Sequence, residues 1–136
     1  MAVTSYQSIH PKDRKAWRKW LIKEHQTSPG VWLVYYKKHT GLRNLSYDEA
    51  VEEALCFGWI DSLPGKLDEN RSRLKFTPRK PKSVWSALNK KRVEQLISQG
   101  LMTAAGLASI EMAKKNGSWE SLTASDEAAA LNKVPS

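Results

Sequence analysis

Apolar residues recur along the chain with two periods, and the first part of the chain alternates between helical and extended patterns. Pro11 is typical of a first helical position. Trp17, Trp20 and Leu21 follow at helical spacing, which predicts a helix with a buried aromatic stripe. The stretch 31–37 (VWLVYYK) is β-branched and aromatic. Because both of its faces are apolar, it predicts a strand in the interior of a sheet.

Capping and turn residues divide the middle of the chain. Ser46 and Glu49 form the two halves of a capping box, which predicts a helix that ends at Gly58. Residues 59–62 (WIDS) predict a short strand, and the proline and glycine at 64–65 predict a turn after it.

A β-hairpin is predicted next, with residues 66–68 and 73–77 as its strands and 69–71 as its tip. Side chains alternate along a strand, so the second strand has one polar and one apolar face. The polar face carries Arg73, Lys75 and Thr77, and the apolar face carries Leu74 and Phe76.

Two helices are predicted for the rest of the chain. The first begins at Ser83 or Ser86 and ends before Gly100. The second is capped by Thr103 and ends at Gly117. The predicted inward positions are Leu88, Val93, Leu96 and Ile97 in the first helix and Leu107, Ile110 and Ala113 in the second, with Trp119 closing over the core.

The predicted order of elements is α-β-α-β-β-β-α-α, which is an α+β pattern. We expect a small, mostly antiparallel sheet of about four strands, packed with N-terminal helices and a C-terminal helical hairpin. The 136 residues suit one hydrophobic core. We therefore expect one domain over residues 1–119 and a weakly structured tail over residues 120–136.

The net charge of +8 is concentrated in one part of the sequence. Residues 66–92 hold ten lysines and arginines against two acidic residues, which equals the excess of the whole chain. A segregated patch of this kind creates a field that attracts anions. A solvated surface with no ligand is the alternative interpretation.

The number of cysteines, the spacing of the histidines and the length of the apolar runs exclude several classes of protein. Cys56 is the only cysteine, so no internal disulfide is expected. The histidines show no metal-ligand spacing, and no motif for a cofactor is present, so we assign neither metal nor cofactor. The chain lacks an apolar N-terminal run and a membrane-length apolar stretch. We therefore expect a cytoplasmic protein that does not insert into a membrane.

Several unusual segments resemble a known family. They are residues 56–62 (CFGWIDS), 76–86 (FTPRKPKSVWS), 100–103 (GLMT) and 105–107 (AGL), together with Asn89. In these segments the chain resembles the YdeI/OmpD-associated family, also called the bacteriocin-protection family. The resemblance implies a link to porin expression and to tolerance of bacteriocins or envelope stress. It implies no reaction and no catalytic residue.

The segment RKPKSVWS, which begins at Arg79, is the most suggestive one for binding. Its cations precede a predicted helix start, where free N–H groups and the helix dipole favour an anion. Arg79 and Lys82 would hold a phosphate or carboxylate. Ser83 or Ser86 would either cap the helix or donate to a ligand oxygen. Trp85 would either stack on a base or belong to the core.

Four further residues complete the candidate site. Trp59 flanks the basic segment together with Trp85, and Asn89 is one of the residues that carry the resemblance. Lys37 ends the central strand, where it would either extend the basic surface or only be solvated at the edge. Asp61, at a strand next to aromatic residues, would be either a general base or the ion-pair partner of a cation such as Arg79.

The leading hypothesis is a binding module rather than an enzyme, with an electropositive, tryptophan-lined groove between the sheet and the helix near Ser86. Its ligand would be an anion, such as phosphate, a nucleotide, a nucleic-acid backbone or an acidic partner. The second hypothesis is a small hydrolase or transferase on an anionic substrate, with Asp61 as its base. The third is a protein-interaction domain in envelope-stress regulation. The oligomeric state stays open.

Overall fold

The computed structural model describes residues 6–120, which form an α+β fold with four α-helices and a four-stranded sheet. All but the first residue of the predicted tail 120–136 lie outside this range. In chain order the elements are β1 (Gln7–Ile9), α1 (Arg14–Glu24), β2 (Val31–Tyr36), a 3₁₀ turn (Lys38–Thr40), α2 (Tyr47–Cys56), β3 (Trp59–Lys66), β4 (Arg71–Pro78), α3 (Ala87–Ser98), α4 (Ala104–Asn116) and a second 3₁₀ turn (Ser118–Glu120).

The sheet has the strand order β1-β2-β4-β3. β1 runs parallel to β2, and the other neighbouring pairs are antiparallel. β2 therefore lies in the interior, as its two apolar faces predict. β1 was not predicted, because its three residues, QSI, carry too few positions to show an alternating pattern.

The strand before the hairpin is longer than predicted. The expected strand 59–62 continues through the expected turn 64–65 to Lys66 as one strand, β3, which pairs with β4 through Pro64 opposite Leu74 and Gly65 opposite Arg73. The rest of the predicted strand 66–68 lies in the tip of the hairpin, and Arg71, predicted in the tip, begins β4. A bulge between Asp61 and Leu63 interrupts the register. Proline is tolerated here because β3 is an edge strand.

The capping residues set where the helices begin. α1 begins at Arg14 and not at Pro11, since the Asp13 side chain accepts a hydrogen bond from the Ala16 amide at 2.8 Å. The capping box of α2 is present as predicted. For α3 the cap is Ser86 and not Ser83.

The core lies between the helices and one face of the sheet. Its largest side chains include Trp17, Trp59 and Trp85, each at most 1% exposed. Ile97 and Leu107 do not point inward as predicted, because they are 48% and 43% exposed. Both C-terminal helices contact α2, and only narrow stripes of each helix become buried.

The close packing of α4 on α2 depends on the glycine at position 106. A Cβ atom at Gly106 would collide with the Cys56 carbonyl. The same carbonyl accepts hydrogen bonds from the Thr103 amide at 3.0 Å and from its Oγ1 at 2.5 Å. Part of the sequence that carries the family resemblance therefore has a packing role.

A buried carboxylate joins α1 to α2. Glu53 is 3% exposed and accepts hydrogen bonds from Arg14 Nε and, at 2.8 Å, from Arg18 Nη1. Arg14 also contacts Glu52 at 3.0 Å, and Arg18 donates to the Leu101 carbonyl at 2.8 Å. These contacts join α1 to α2 and to the segment after α3. Among residues 6–120, none of the helices is long and apolar enough to cross a membrane.

Candidate functional site

The basic segment 66–92 does not form one continuous cationic surface. Arg71 donates two hydrogen bonds to Asp68 Oδ2, at 2.9 and 2.7 Å. Arg92 contacts Asp48 Oδ1 at 2.6 Å. Part of the charge that the sequence concentrates is therefore neutralised inside the molecule, and the unneutralised cations lie on different elements.

Arg79 follows β4 and begins an irregular turn that leads to α3. Its guanidinium lies 3.8 Å from the centre of the Trp85 ring, and Nη2 donates to the Val84 carbonyl at 2.8 Å. Within residues 6–120 this is the only hydrogen bond that the guanidinium donates, although an arginine side chain has five N–H groups. Burial lowers the pKa of Arg79 to about 10, and the charge of Asp61 opposes this shift only in part.

Arg79 lines a cavity of about 210 Å³ between this turn and α4. We call it the turn cavity. Its lining residues are Arg79, Lys80, Pro81, Trp85, Ala108, Ser109 and Met112. The Ser109 hydroxyl donates to the Gly106 carbonyl at 2.7 Å. The contribution of α4 was missed from the sequence, because nothing in the spacing of Ser109 or Met112 indicates contact with a segment some thirty positions earlier.

The predicted polar residues of the turn separate into different roles. Ser86 is the cap of α3, and its Oγ accepts from the Asn89 amide at 3.1 Å. The Ser83 amide donates to the Lys80 carbonyl at 3.0 Å, so Ser83 closes the turn. Lys82 is exposed and does not belong to the lining of the turn cavity.

Neither predicted tryptophan offers an open ring face to a ligand. Trp59 is 1% exposed, and its indole N–H donates to the His25 carbonyl at 3.2 Å. Trp85 is equally buried, since Arg79 covers it and the Trp119 ring lies 5.0 Å away. Trp119 packs against the core, as predicted. The expected tryptophan-lined groove is therefore a cavity with Trp85 in its wall, and Trp59 belongs to the core.

Asp61 does not form the direct ion pair with Arg79 that the sequence suggested. It accepts a hydrogen bond from the Tyr47 hydroxyl at 2.9 Å, and it acts on Arg79 only through its charge. Burial, followed by the charge of Asp61, raises the pKa of Tyr47 to about 12. Tyr47 therefore keeps its proton and holds Asp61 in one orientation.

A second polar contact, from Arg92 of α3 to Asp48 of α2, lies near Tyr47. Arg92 Nη1 donates to Asn89 Oδ1 at 2.9 Å, and the Arg92 guanidinium lies 6.0 Å from the centre of the Tyr47 ring. Because Arg92 also contacts Asp48, Asn89 serves to position an arginine that is already paired. Asp61 and Asn89 thus do not line the turn cavity with Arg79.

Lys37 lies at a larger cavity of about 410 Å³, next to the end of β2. We call it the loop cavity, lined by Tyr35, Tyr36, Lys37, Lys38, Gly41, Leu42, Arg43, Leu45, Ser46 and Tyr47. Arg43 contacts Glu49 at 2.7 Å, so one of its three cations is paired. The structure therefore separates Lys37 from the Arg79 turn.

Cys56 is fully buried, and burial raises the pKa of its thiol. A buried thiol of this kind is a poor nucleophile. Among residues 6–120, no group of three histidine, cysteine or acidic side chains lies close enough to hold a metal ion.

The fold and the turn cavity define a class of protein, a small α+β domain with a desolvated arginine beside a cavity. Residues 9–109 match a family model described as "Domain of unknown function (DUF8412)". The chain therefore belongs to this family. No curated protein and no solved structure matches the chain.

Proposed function

We propose that this protein is a binding module that holds a small anionic ligand in the turn cavity. The observation that supports the proposal is Arg79, a largely desolvated guanidinium that lines the cavity, donates one hydrogen bond and contacts no carboxylate among residues 6–120. A desolvated charge normally has an oppositely charged partner, because leaving water without one is costly. A bound anion would be that partner.

We choose the turn cavity over the loop cavity because the cations of the two cavities differ in ion pairing and burial. In the loop cavity, Arg43 is already paired with Glu49, and Lys38 is exposed to solvent. Lys37 is half-buried, but an ammonium group meets an oxyanion as a point charge and lacks the paired donors of a guanidinium. In the turn cavity, Arg79 is desolvated and has unused N–H groups, so it gains more from an anion than a hydrated lysine does.

The turn cavity suits a ligand with one anionic group and a small apolar part. Arg79 and Lys80 would contact phosphate or carboxylate oxygens, and the Ser109 hydroxyl would donate a further hydrogen bond by turning away from the Gly106 carbonyl. Met112 and Ala108 would contact the apolar part. A volume of about 210 Å³ suits a small metabolite.

Titration with inorganic phosphate tests this proposal. Phosphate should raise the melting temperature of the wild-type protein in a concentration-dependent way, since a ligand that binds only the folded state stabilises it. Arg79→Met should abolish the shift while keeping an aliphatic chain against Trp85. Lys82→Met removes an exposed charge from the same turn and should leave the shift intact. Equal loss in both variants would mean general attraction to the basic turn, and the proposed site would be rejected.

A hydrolase or transferase that uses Asp61 is the second candidate. Its support is the Tyr47 hydroxyl, which orients the carboxyl at 2.9 Å, and the nearby charge of Arg79. Turnover of p-nitrophenyl phosphate or p-nitrophenyl acetate that Asp61→Asn abolishes would support this function. An Asp61→Asn protein that is folded and equally active, or a wild-type protein with no turnover, would exclude it for these substrates.

The resemblance to the YdeI/OmpD-associated family stays a prediction. From it we propose that the protein contributes to tolerance of bacteriocins or envelope stress. Loss of the gene should raise sensitivity to bacteriocins, and the wild-type gene should restore tolerance. Unchanged sensitivity would contradict it.

A protein-interaction role predicts that a stable protein partner is recovered with the tagged chain. Location in the cytoplasm is likewise proposed, and cell fractionation tests it.

A further inference from the structure

Among residues 6–120, every buried apolar side chain that the helices contribute belongs to the core cluster. The core contains Leu33, Leu74 and Phe76, which share one face of β2 and β4. Trp32, Val34 and Tyr36 point to the opposite side, because side chains alternate along a strand, and they are not part of that core. Val34, between the two aromatic residues, is 4% exposed, whereas both aromatic residues are half-buried. We call this opposite side the open face.

Aromatic rings and cations face one another across the strands of the open face. Trp32 lies opposite Lys75, and Tyr36 lies opposite Arg71. Together they form what we call the open-face patch: Tyr6, Trp32, Tyr36, Arg71, Arg73 and Lys75, all of them half-buried.

Two of the cations lie over the rings. The Arg73 guanidinium is 4.1 Å from the centre of the Trp32 ring, and Lys75 Nζ is 4.2 Å from that of Tyr6. Gly65 on the neighbouring strand leaves the space for this arrangement. A Cβ atom there would lie 3.1 Å from the Trp32 ring and 3.2 Å from Arg73 Nε.

The charge of this patch is only partly compensated. Arg71 is paired with Asp68, whereas Arg73 and Lys75 contact no carboxylate within residues 6–120. Arg73 Nε is buried and has no hydrogen-bond partner in that range. An unsatisfied buried donor is costly. Because Nε has no hydrogen-bond partner in the described part of the chain, the contact with Trp32 is what holds this guanidinium in place.

We propose that the open-face patch binds single-stranded nucleic acid. One base would stack on the pair that Arg73 forms with Trp32 and another on Tyr36, while Arg73 and Lys75 contact phosphates. Trp32 and Tyr36 are separated by four residues of strand, or about 13 Å, so they would receive different bases of one strand. A duplex keeps its base faces stacked, and half-buried rings cannot reach them. The inference does not depend on the turn cavity.

Binding of a short fluorescently labelled oligouridylate, measured by fluorescence anisotropy at about 50 and 200 mM salt, tests the inference. The wild-type protein should bind and should prefer the single strand to a duplex of the same length. Trp32→Leu should weaken binding roughly tenfold. The double variant Arg73→Gln and Lys75→Gln should reduce the salt slope by about 0.7 for each phosphate that it no longer neutralises.

The matched control is the double variant Lys19→Gln and Lys23→Gln, which removes the same charge from exposed positions of α1. It should keep the wild-type salt slope. Circular dichroism checks that each variant is folded. If Trp32→Leu does not fold, the double variant Arg73→Gln and Lys75→Gln still tests the inference. The inference is overturned by absent binding at about 50 mM salt, by equal loss in the α1 control, or by patch-dependent binding to phosphatidylserine vesicles without binding to the oligonucleotide.

Discussion

At the scale of single residues, the environment of each side chain separates positions that look alike in the sequence. Arg71, Arg79 and Arg92 lie in one basic segment, but only Arg79 of these three lacks an acidic side chain in direct contact among residues 6–120. Asp61 and Tyr47 form a hydrogen bond that neither position reveals alone. The charge pattern therefore indicated the segment, and tertiary contacts selected the residue.

Tyr47 should make stability depend on pH in the alkaline range. Its pKa is raised from 10.0 to about 12 in the folded protein, so the folded state keeps the proton longer than the unfolded state does. The stabilisation is fully present below pH 10 and is lost as the pH rises towards 12. Since Tyr47 is 40% exposed, solvent screening keeps the effect below about 1 kcal/mol.

Urea unfolding of the wild type and of Tyr47→Phe at a series of pH values measures this contribution. The difference in the free energy of unfolding should be constant from about pH 7 to 9 and should shrink above pH 10, the ordinary pKa of tyrosine. The comparison with Tyr47→Phe is required because Arg79, with its lowered pKa, changes stability in the opposite direction over the same pH range. A difference that is independent of pH up to about 11 would contradict the prediction.

At the scale of elements, two contacts fix how the helices pack. The buried Glu53 joins α1 to α2 through Arg14 and Arg18. Gly106 lets α4 reach the carbonyl at the end of α2. Both contacts join residues that are distant in the sequence, and helical periodicity describes each helix only by itself.

Removing the buried charge should be costly. Glu53→Gln leaves Arg14 and Arg18 without their shared carboxylate, and we expect a loss of about 2–3 kcal/mol, because both arginines retain some solvent contact. Glu52→Gln removes the half-buried partner of Arg14 and should cost less than about 1 kcal/mol. Chemical denaturation measures both, and equal losses would contradict the assigned role of Glu53.

The sign of the stability change caused by Gly106→Ala tests the close packing of α4 on α2. In an unhindered helix this change stabilises by about 1 kcal/mol. At Gly106 the added methyl group would collide with the Cys56 carbonyl, so we expect a loss of about 1–3 kcal/mol. Leu107→Ala, at an exposed neighbouring position, should change stability by about 0.5 kcal/mol or less. A higher melting temperature for Gly106→Ala would show that α4 does not approach α2 this closely.

At the scale of the whole molecule, the sheet divides the protein into two sides. Helices cover one face, and the turn cavity lies at the helical side beside α4. The other face carries the open-face patch. The phosphate titration with Arg79→Met and the oligonucleotide titration with the Arg73 and Lys75 variant should therefore respond independently, since the two sets of residues do not overlap.

The sequence by itself determined the α+β class, the interior position of β2, the capping box of α2 and the alternation along β4, because these features depend on local propensity and periodicity. It also indicated Arg79. Only the tertiary structure decided the pairing of Asp61 with Tyr47, the continuation of the predicted strand 59–62 through the expected turn as β3, the burial of Trp59 and the share of the positive charge left unpaired. These depend on strand register and helix packing, which bring together residues far apart in the chain and which no local pattern records.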